Sequence, residues 1–454
     1  MKPMDRVKIV TLGCAKNDVD SEEIAGVLVG AGYRVDGSGK RSDVTIINTC
    51  GFLEAAKEES VAAIREAVEE KKRGLTGKVI VAGCLAQRLG EELARLAPGA
   101  DAYVGVGQMG RFDEIVRGSG VVQPLIDVAP PHHRWASVET RARAGHPWSA
   151  YLKVSEGCDH KCAFCTIPSF RGAHQSKPIE RVLAEARHLA STGAVEINLI
   201  AQDVTQYGYD LYREFTLPKL LRELNAIDGL QWIRILYFYP NRLTDEVIET
   251  MASCDRVLPY IDIPLQHAHP EVLKRMRRPW DGERYLKLFE KIRAAMPEVA
   301  IRTTFIVGFP GETDEEFQYL LDFMSAARLD RVGAFMFSRE PGTPAHAMEG
   351  QIPSRVKRQR YGRLMTLQQR ISLEINQSWI GHDLRVLVES VAGASNPRDP
   401  APAIQNPRHV GRSHRDAPEI DGLVYFGGVA RPGSIVTVRI GSAEPYDLFG
   451  TASP

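Results

Sequence analysis

The sequence predicts an α/β fold in three parts: a parallel-sheet N-terminal region, a full or partial parallel β/α barrel, and a small C-terminal β-barrel. Three observations carry this. Over the first 118 residues, β-branched runs alternate with helix-favouring stretches, the order expected of a parallel sheet covered by helices. Between Tyr151 and about Ala345 the alternation continues in six longer strand–helix units, and a barrel built this way places its active site at the C-terminal ends of its strands. After Leu384, short β runs are separated by Gly, Pro and Asn, the punctuation of a small barrel.

In the first region the strand candidates are Lys8–Leu12, Val44–Ile47 and Lys78–Ala82. Asp18–Ala31 has helical spacing with acidic residues in its first turn, and Phe52–Arg73 is rich in Ala, Glu and Lys, all good helix formers. Pro124, Pro130, Pro131 and Pro147 then break the pattern, so 119–147 reads as a linker. The barrel strand candidates are Tyr151–Ser155, Glu196–Ala201, Trp232–Tyr239, Leu258–Ile263, Ala300–Val307 and Arg331–Phe337, with helices such as Pro178–Thr192 and Asp314–Ala327 between them. Ser354–Trp379 reads as one connecting helix. Its basic residues, Arg355, Lys357, Arg358, Arg360, Arg363 and Arg370, form either a solvated face or a docking surface. In the tail the β runs are Leu384–Val388, Gly422–Phe426 and Ile435–Ile440. The expected boundaries are therefore 1–118, linker 119–147, 148–350, connecting helix 351–378, and 379–450.

The 454 residues balance 57 Lys and Arg against 57 Asp and Glu, which excludes a polybasic nucleic-acid binder over the whole chain. No apolar run approaches the ~18 residues that span a membrane. Met1–Val10 carries no secretory pattern. A cytoplasmic protein with no membrane partner is the expectation. Seven cysteines, an odd number in such a chain, point to metal ligation or catalysis rather than disulfides.

Cys158, Cys162 and Cys165 form C-x3-C-x2-C just after a predicted strand. Thiolates suit zinc or iron–sulfur clusters. Structural zinc wants four ligands, and only His160 or His174 lies near enough in sequence to supply the fourth. Three thiolates on a four-iron cube instead leave one iron open for a substrate or cofactor. Cys14, Cys50 and Cys84 each close a predicted strand, about one strand–helix repeat apart. In a parallel sheet such positions share the carboxyl edge where ligands bind, so a second trio with one open iron follows. A plain set of buried thiols is the competing explanation for both trios. Cys254 lies outside them and is expected to be structural.

The run Glu156-Gly157-Cys158-Asp159-His160-Lys161-Cys162-Ala163-Phe164-Cys165 resembles the signature of radical S-adenosylmethionine (SAM) enzymes. The resemblance implies a partial (β/α)6 barrel and a 4Fe–4S cluster whose open iron binds SAM. One electron then cleaves SAM to a 5′-deoxyadenosyl radical that abstracts hydrogen. It also implies SAM contacts at Phe164, beside the adenine, and near Gly308 in Ile306-Val307-Gly308-Phe309-Pro310-Gly311-Glu312. Gln202 and Asp203, polar residues closing a predicted strand at the same face, are further SAM candidates, and Gln266-His267 are weaker ones. His132 and His133, in the linker, form no ligand spacing.

Thr11-Leu12-Gly13-Cys14-Ala15-Lys16-Asn17, Asn48-Thr49-Cys50-Gly51 and Ala82-Gly83-Cys84 resemble the N-terminal domain of the methylthiotransferase family. That resemblance implies an auxiliary 4Fe–4S cluster on Cys14, Cys50 and Cys84 whose sulfur is methylated and delivered, a radical SAM domain over 148–350, and a TRAM-like tail. Within the family the chain is similar to the protein-modifying branch. The similarity lies in Ala15-Lys16-Asn17, where the tRNA-modifying branch usually has Gln-Met-Asn, in Thr166-Ile167-Pro168-Ser169-Phe170-Arg171-Gly172, and in Gly411-Arg412-Ser413-His414-Arg415-Asp416. This branch implies an aspartate of small-subunit ribosomal protein S-twelve as substrate, free or within the subunit, two 4Fe–4S clusters and SAM as cofactors, an electron donor as a further partner, and no DNA. The alternatives are a tRNA adenosine methylthiotransferase and a non-catalytic iron–sulfur or zinc protein of the ribosome. From Ser378 to Pro454 there are seven Arg, no Lys and eight Asp plus Glu, a poor platform for RNA and a suitable one for a basic protein. Arg408, Arg412 and Arg415 remain a candidate phosphate contact.

Overall fold

The computed structural model describes residues 5–36, 41–118, 124–131, 133, 135, 141–391 and 409–453. Six strands form the N-terminal sheet: β1 (Arg6–Thr11), β2 (Arg34–Val35), β3 (Ser42–Thr49), β4 (Thr76–Gly83), β5 (Ala102–Val104) and β6 (Leu125–Asp127), in the order β2-β1-β3-β4-β5-β6. All pairs are parallel. The stretch read as a linker therefore supplies the sixth strand. Its Pro-rich surroundings conceal it, and Leu125–Asp127 survives because an edge strand of three residues needs only one neighbour.

The register fixes where β1, β3 and β4 end. Thr11 pairs with Asn48, and Thr49 with Gly83. Cys14, Cys50 and Cys84 therefore leave the sheet at one edge. Helices Ala15–Gly30 and Glu54–Lys72 cover the sheet.

The central part runs through β7 (Ser149–Lys153), a short antiparallel pair β8 (Ser155–Glu156) and β9 (Gln175–Ser176), then β10 (Glu196–Ile200), β11 (Trp232–Ile235), β12 (Tyr260–Asp262), β13 (Ala300–Val307) and β14 (Arg331–Met336). Strands β7, β10 and β11 form one parallel set and β12, β13 and β14 another. A parallel bridge from Ile233 to Val257 joins them. Among the described residues no pairing closes β14 onto β7, so the six strands make an open barrel. Residues such as Leu199, Ile233 and Phe305 pack outward on the helices, as expected for parallel strands buried on both faces. Cys254, buried in that outer layer, is structural. The inward residues Ile200, Trp232, Tyr260 and Ala300 pack with Val19 of the N-terminal domain and with Leu387 and Ala417 of the tail.

The helix Ser354–Gln377 crosses the back of this barrel. Its basic residues divide. Lys357 reaches the Phe337 carbonyl at 2.7 Å and Arg360 pairs with Glu312 at 3.2 Å and Asp314 at 2.8 Å, whereas Arg355, Arg358, Arg363 and Arg370 are exposed. Beyond it, β15 (Asp383–Val391), β16 (His409–Ser413), β17 (Val424–Gly427), β18 (Ile435–Ala443) and β19 (Leu448–Ala452) close a five-stranded barrel in the order β15-β16-β17-β19-β18. This barrel meets the N-terminal ends of the central strands through buried ion pairs. Arg412 binds Glu196 at 2.6 Å, Arg331 binds Asp416 at 2.8 Å, and Arg415 binds Asp330 at 2.5 Å. The expected phosphate contact is thereby corrected. Arg412 and Arg415 are buried because interior carboxylates take them, and Arg408 lies outside the described residues.

Candidate active site between two cysteine trios

The first trio sits on backbone turns that only glycine adopts readily. Gly13 and Gly83 have φ of 106° and 93°. A Cβ at Gly13 would lie 2.8 Å from the Cys50 Cβ, and one at Gly83 would lie 2.8 Å from the Thr49 carbonyl oxygen. Asn17 ties the strand ends together, donating to the carbonyls of Leu12 at 2.7 Å and Thr49 at 3.0 Å. Asn48 donates in turn to the Asn17 carbonyl at 2.9 Å. Cys14 caps the helix Ala15–Gly30 and Cys84 opens the helix Cys84–Leu89. Helix N-termini favour thiolates, but burial pushes the Cys84 thiol up to about 12, against the pull of Arg171. Gly83→Ala is expected to cost roughly 1–3 kcal/mol of local strain and to remove the iron bound by this trio, read as iron per chain against circular dichroism of the folded protein.

The second trio lies on the loop after β8. Gly157, with φ of 76°, turns the chain, and Cys158 N–H donates to the Gly172 carbonyl at 3.0 Å. Ile167 N–H donates to the Cys165 sulfur at 3.4 Å, and the Arg278 guanidinium to the Cys162 sulfur at 3.7 Å. Burial pushes both Cys158 and Cys165 up to about 12.

These sulfurs fit iron better than zinc. Neither histidine is a fourth ligand: His160 Nε2 bonds Asp203 at 2.7 Å, and His174 Nε2 bonds Ser176 at 3.1 Å. Among the described residues no three His, Cys, Asp or Glu side chains converge closely enough to hold one ion. Zinc ligands must so converge, whereas ligands on the corners of an iron–sulfur cube need not. Basic groups also stand on the sulfurs, as an anionic cluster requires: Arg171 lies 3.0 Å from Cys84, and Arg278 faces Cys162.

Arg171 links the trios. Its guanidinium also donates to Asn17 Oδ1 at 2.6 Å and Glu156 at 2.9 Å, and it pairs with Asp20 at 2.9 Å. It ends the five-residue helix Ile167–Arg171, which begins beside Cys165 and spans roughly 7–8 Å at 1.5 Å per residue. Lys153 joins the same buried group through Asp20 and Glu156. Burial works against the Glu156 charge, but Arg171 and Lys153 overcome it and hold the carboxyl well below its usual range.

The expected SAM-contact residues are placed as follows. Gln202 and Asp203 lie just past the end of β10. The Gln202 amide donates to Glu156, while its buried Oε1 lacks a partner among the described residues, an acceptor suited to a ligand's ammonium. Asp203 accepts from His160 and, at 2.8 Å, from Thr205 N–H. His160 stacks on Tyr239 with ring centroids 3.6 Å apart. Phe164 packs with Phe309, Phe337 and Met276. The Gly308 turn, φ 73°, is closed by its own Glu312, which accepts from the N–H groups of Gly308 and Phe309, so that N–H is already engaged. His267 is fully buried, and burial pushes it down to about 3. His133 bonds the Arg171 carbonyl at 3.0 Å. His132 lies outside the described residues.

Arg171, Arg278, Tyr239 and Lys16 were not singled out by the sequence. Arg171 and Lys16 lie inside runs that carry the family resemblance; nothing local marks Arg278 or Tyr239.

Three family models match the chain: the radical SAM superfamily over residues 152–324, the uncharacterized protein family UPF0004 over 6–105, and the TRAM domain over 380–452. The ribosomal protein uS12 methylthiotransferase RimO of Symbiobacterium thermophilum is 45% identical over 452 residues, covering 99% of this chain and 91% of that protein. Its counterpart in Moorella thermoacetica is 45% identical over 449 residues, covering 98% and 99%. Among solved structures, the radical SAM methyltransferase TsrM of Kitasatospora setae, with cobalamin and a [4Fe-4S] cluster bound, aligns with TM-score 0.56 at 14% identity, covering 86% of this chain and 78% of that one. The fold is therefore shared with radical SAM enzymes. The matched domains, in their order, and the identity along almost the whole length make this chain a radical SAM enzyme that belongs to the RimO family of methylthiotransferases.

Proposed function

We infer that this enzyme exchanges a β-C–H of an aspartate in uS12, the small-subunit protein S-twelve, for C–SCH3. The observation that carries this is the junction at Arg171, which brings a sulfur of the Cys14, Cys50, Cys84 trio within a short helix of the Cys158, Cys162, Cys165 trio. Two 4Fe–4S clusters with SAM would supply the radical at one trio and the transferable sulfur at the other. The chain's own residues set up that chemistry. Arg171 donates to the Cys84 sulfur and Arg278 to the Cys162 sulfur, where each would offset the negative charge of a bound cluster. Gln202 offers an acceptor beside the second trio. Lys153, Asp20 and Glu156 hold the two domains in register through buried ion pairs. Val19, Leu387 and Ala417 close the barrel interior from either side, which protects a carbon radical from quenching. An unidentified electron donor completes the reaction, and a cytoplasmic setting suits a ribosomal substrate. Among the described residues no helix is long and apolar enough to cross a membrane.

The burial of Arg412 and Arg415 favours a protein substrate over tRNA, because it removes them from any phosphate-binding face. The test is anaerobic incubation of the iron-loaded enzyme with SAM, reductant and either purified uS12 or purified tRNA, followed by mass spectrometry. A methylthio gain on one uS12 aspartate, with tRNA unchanged, is expected. Methylthioadenosine in tRNA and unmodified uS12 would overturn the reading, as would zinc without sulfide in the purified protein.

A further inference from the structure

Among the described residues, Lys16 is a buried cation without a buried anion. It is 7% exposed. Among the described residues no carboxylate pairs with it, and its ammonium instead lies 3.1 Å from the centroid of the Tyr237 ring. Two features make this arrangement costly. Lys16 is the second residue of the 16-residue helix Ala15–Gly30, where the positive end of the helix dipole disfavours a cation. Tyr237 holds a left-handed backbone with φ of 68°, an unfavourable conformation for a tyrosine that is kept where the surroundings impose it, often at functional sites. The Tyr237 N–H is anchored on Asp262 at 3.2 Å and its carbonyl receives Val204 N–H at 3.1 Å.

The location gives the cost a purpose. Lys16 lies two residues after Cys14. Tyr237 lies two residues before Tyr239, which stacks on His160 and receives the Arg278 guanidinium 4.2 Å from its ring centroid, beside Cys162. The ammonium thus stands where the first trio's domain faces the barrel mouth. The acids that follow Lys16 on the helix serve other cations: Asp20 pairs with Lys153 and Arg171, and Glu22 with Arg141, while burial, then Glu419, Glu22 and Asp20, push Asp18 up to about 6.

We propose that Lys16 holds the side-chain carboxylate of the target aspartate between the two trios. This rests on the reading of the substrate given above. The substrate brings an anion into a closed site, and a buried anion requires a cation. A carboxylate fixed on Lys16 presents its β-carbon one bond away, free to face the radical on one side and the sulfur on the other.

The test is a cycle of four combinations: wild-type and Lys16→Met enzyme, each with uS12 carrying either aspartate or asparagine at the modified position. Substrate affinity is read by fluorescence anisotropy on the iron-loaded enzyme without SAM, and kcat/KM is read by mass spectrometry. For wild type, asparagine should weaken binding roughly 30-fold or more, the scale of losing one partner of a buried ion pair. For Lys16→Met, bound iron should match wild type and the aspartate preference should vanish. Equal preference for aspartate in both enzymes overturns the proposal. So does wild-type enzyme that binds the asparagine substrate as tightly as the aspartate one, a result that needs no variant to fold. Failure of wild type to modify uS12 at all would instead overturn the functional reading beneath it.

Discussion

Cys158→Ala is expected to abolish SAM cleavage, whereas Cys14→Ala should leave SAM cleavage in place and stop sulfur delivery. The two sulfurs belong to different trios on different domains, one on the loop after β8 and one at the edge of the N-terminal sheet. Each trio has its own supporting donors, Arg278 and the Ile167 N–H at one, Arg171 at the other. Loss of a thiolate is therefore local. Iron should fall from about eight to about four per chain in either variant, while 5′-deoxyadenosine formation, measured by chromatography, disappears only in Cys158→Ala. Equal loss of both activities in a folded Cys14→Ala protein would contradict this division of labour.

Glu196→Gln should be the most destabilising single change outside the cysteines. Glu196 is fully buried at the start of β10 and binds Arg412 at 2.6 Å and Arg234 at 3.3 Å. Removing one partner of a buried ion pair costs about 3–5 kcal/mol; here Arg234 loses its paired carboxylate and Arg412 keeps only Glu389, at 2.6 Å. The same site fixes a pH dependence. Burial raises the Glu196 carboxyl, but Arg412 and Arg234 outweigh burial and bring it from the ordinary 4.5 down to about 2. A depressed carboxyl contributes stability above its unfolded value and loses it as pH falls toward the folded one. The contribution is about 3 kcal/mol, complete above about pH 4.5 and lost towards pH 2. Denaturant unfolding at several pH values should show this decline in wild type and a shallower one in Glu196→Gln, where Glu156 and Asp416, also held low by buried guanidinium groups, still contribute. An unchanged slope in the variant would show that other carboxylates govern acid unfolding.

Long, repetitive features were legible in the sequence. The central strands emerge almost where the β-branched runs lie; Ala300–Val307 and the helix Asp314–Ala327 match residue for residue. The placement of Cys14, Cys50 and Cys84 along one sheet edge was legible because cysteine at strand ends is a local pattern repeated at regular spacing. Strands of two or three residues, such as Arg34–Val35 and Leu125–Asp127, have too few alternations to announce themselves, and their neighbours in the sheet decide them. His409–Ser413 is hidden for another reason. It carries Arg412 yet is wholly buried, because one of the carboxylates that neutralise that arginine, Glu196, comes from 216 residues away. Arg171 and Lys16 were likewise visible as letters but not as roles, since their partners lie on other domains.

The seam formed by Asp20, Lys153, Glu156 and Arg171 bears on how this architecture can evolve. The central domain brings two cations, Lys153 and Arg171, against one anion, Glu156, and Asp20 of the N-terminal domain supplies the missing negative charge; an unmatched ion indoors costs several kcal/mol. A chimera that exchanges the sulfur-bearing module alone would import an acid without its lysine, or leave Lys153 and Arg171 to share Glu156 with one positive charge unmatched. Recombination between lineages should therefore preserve this quartet as a block, and the modules should descend together although each looks self-contained.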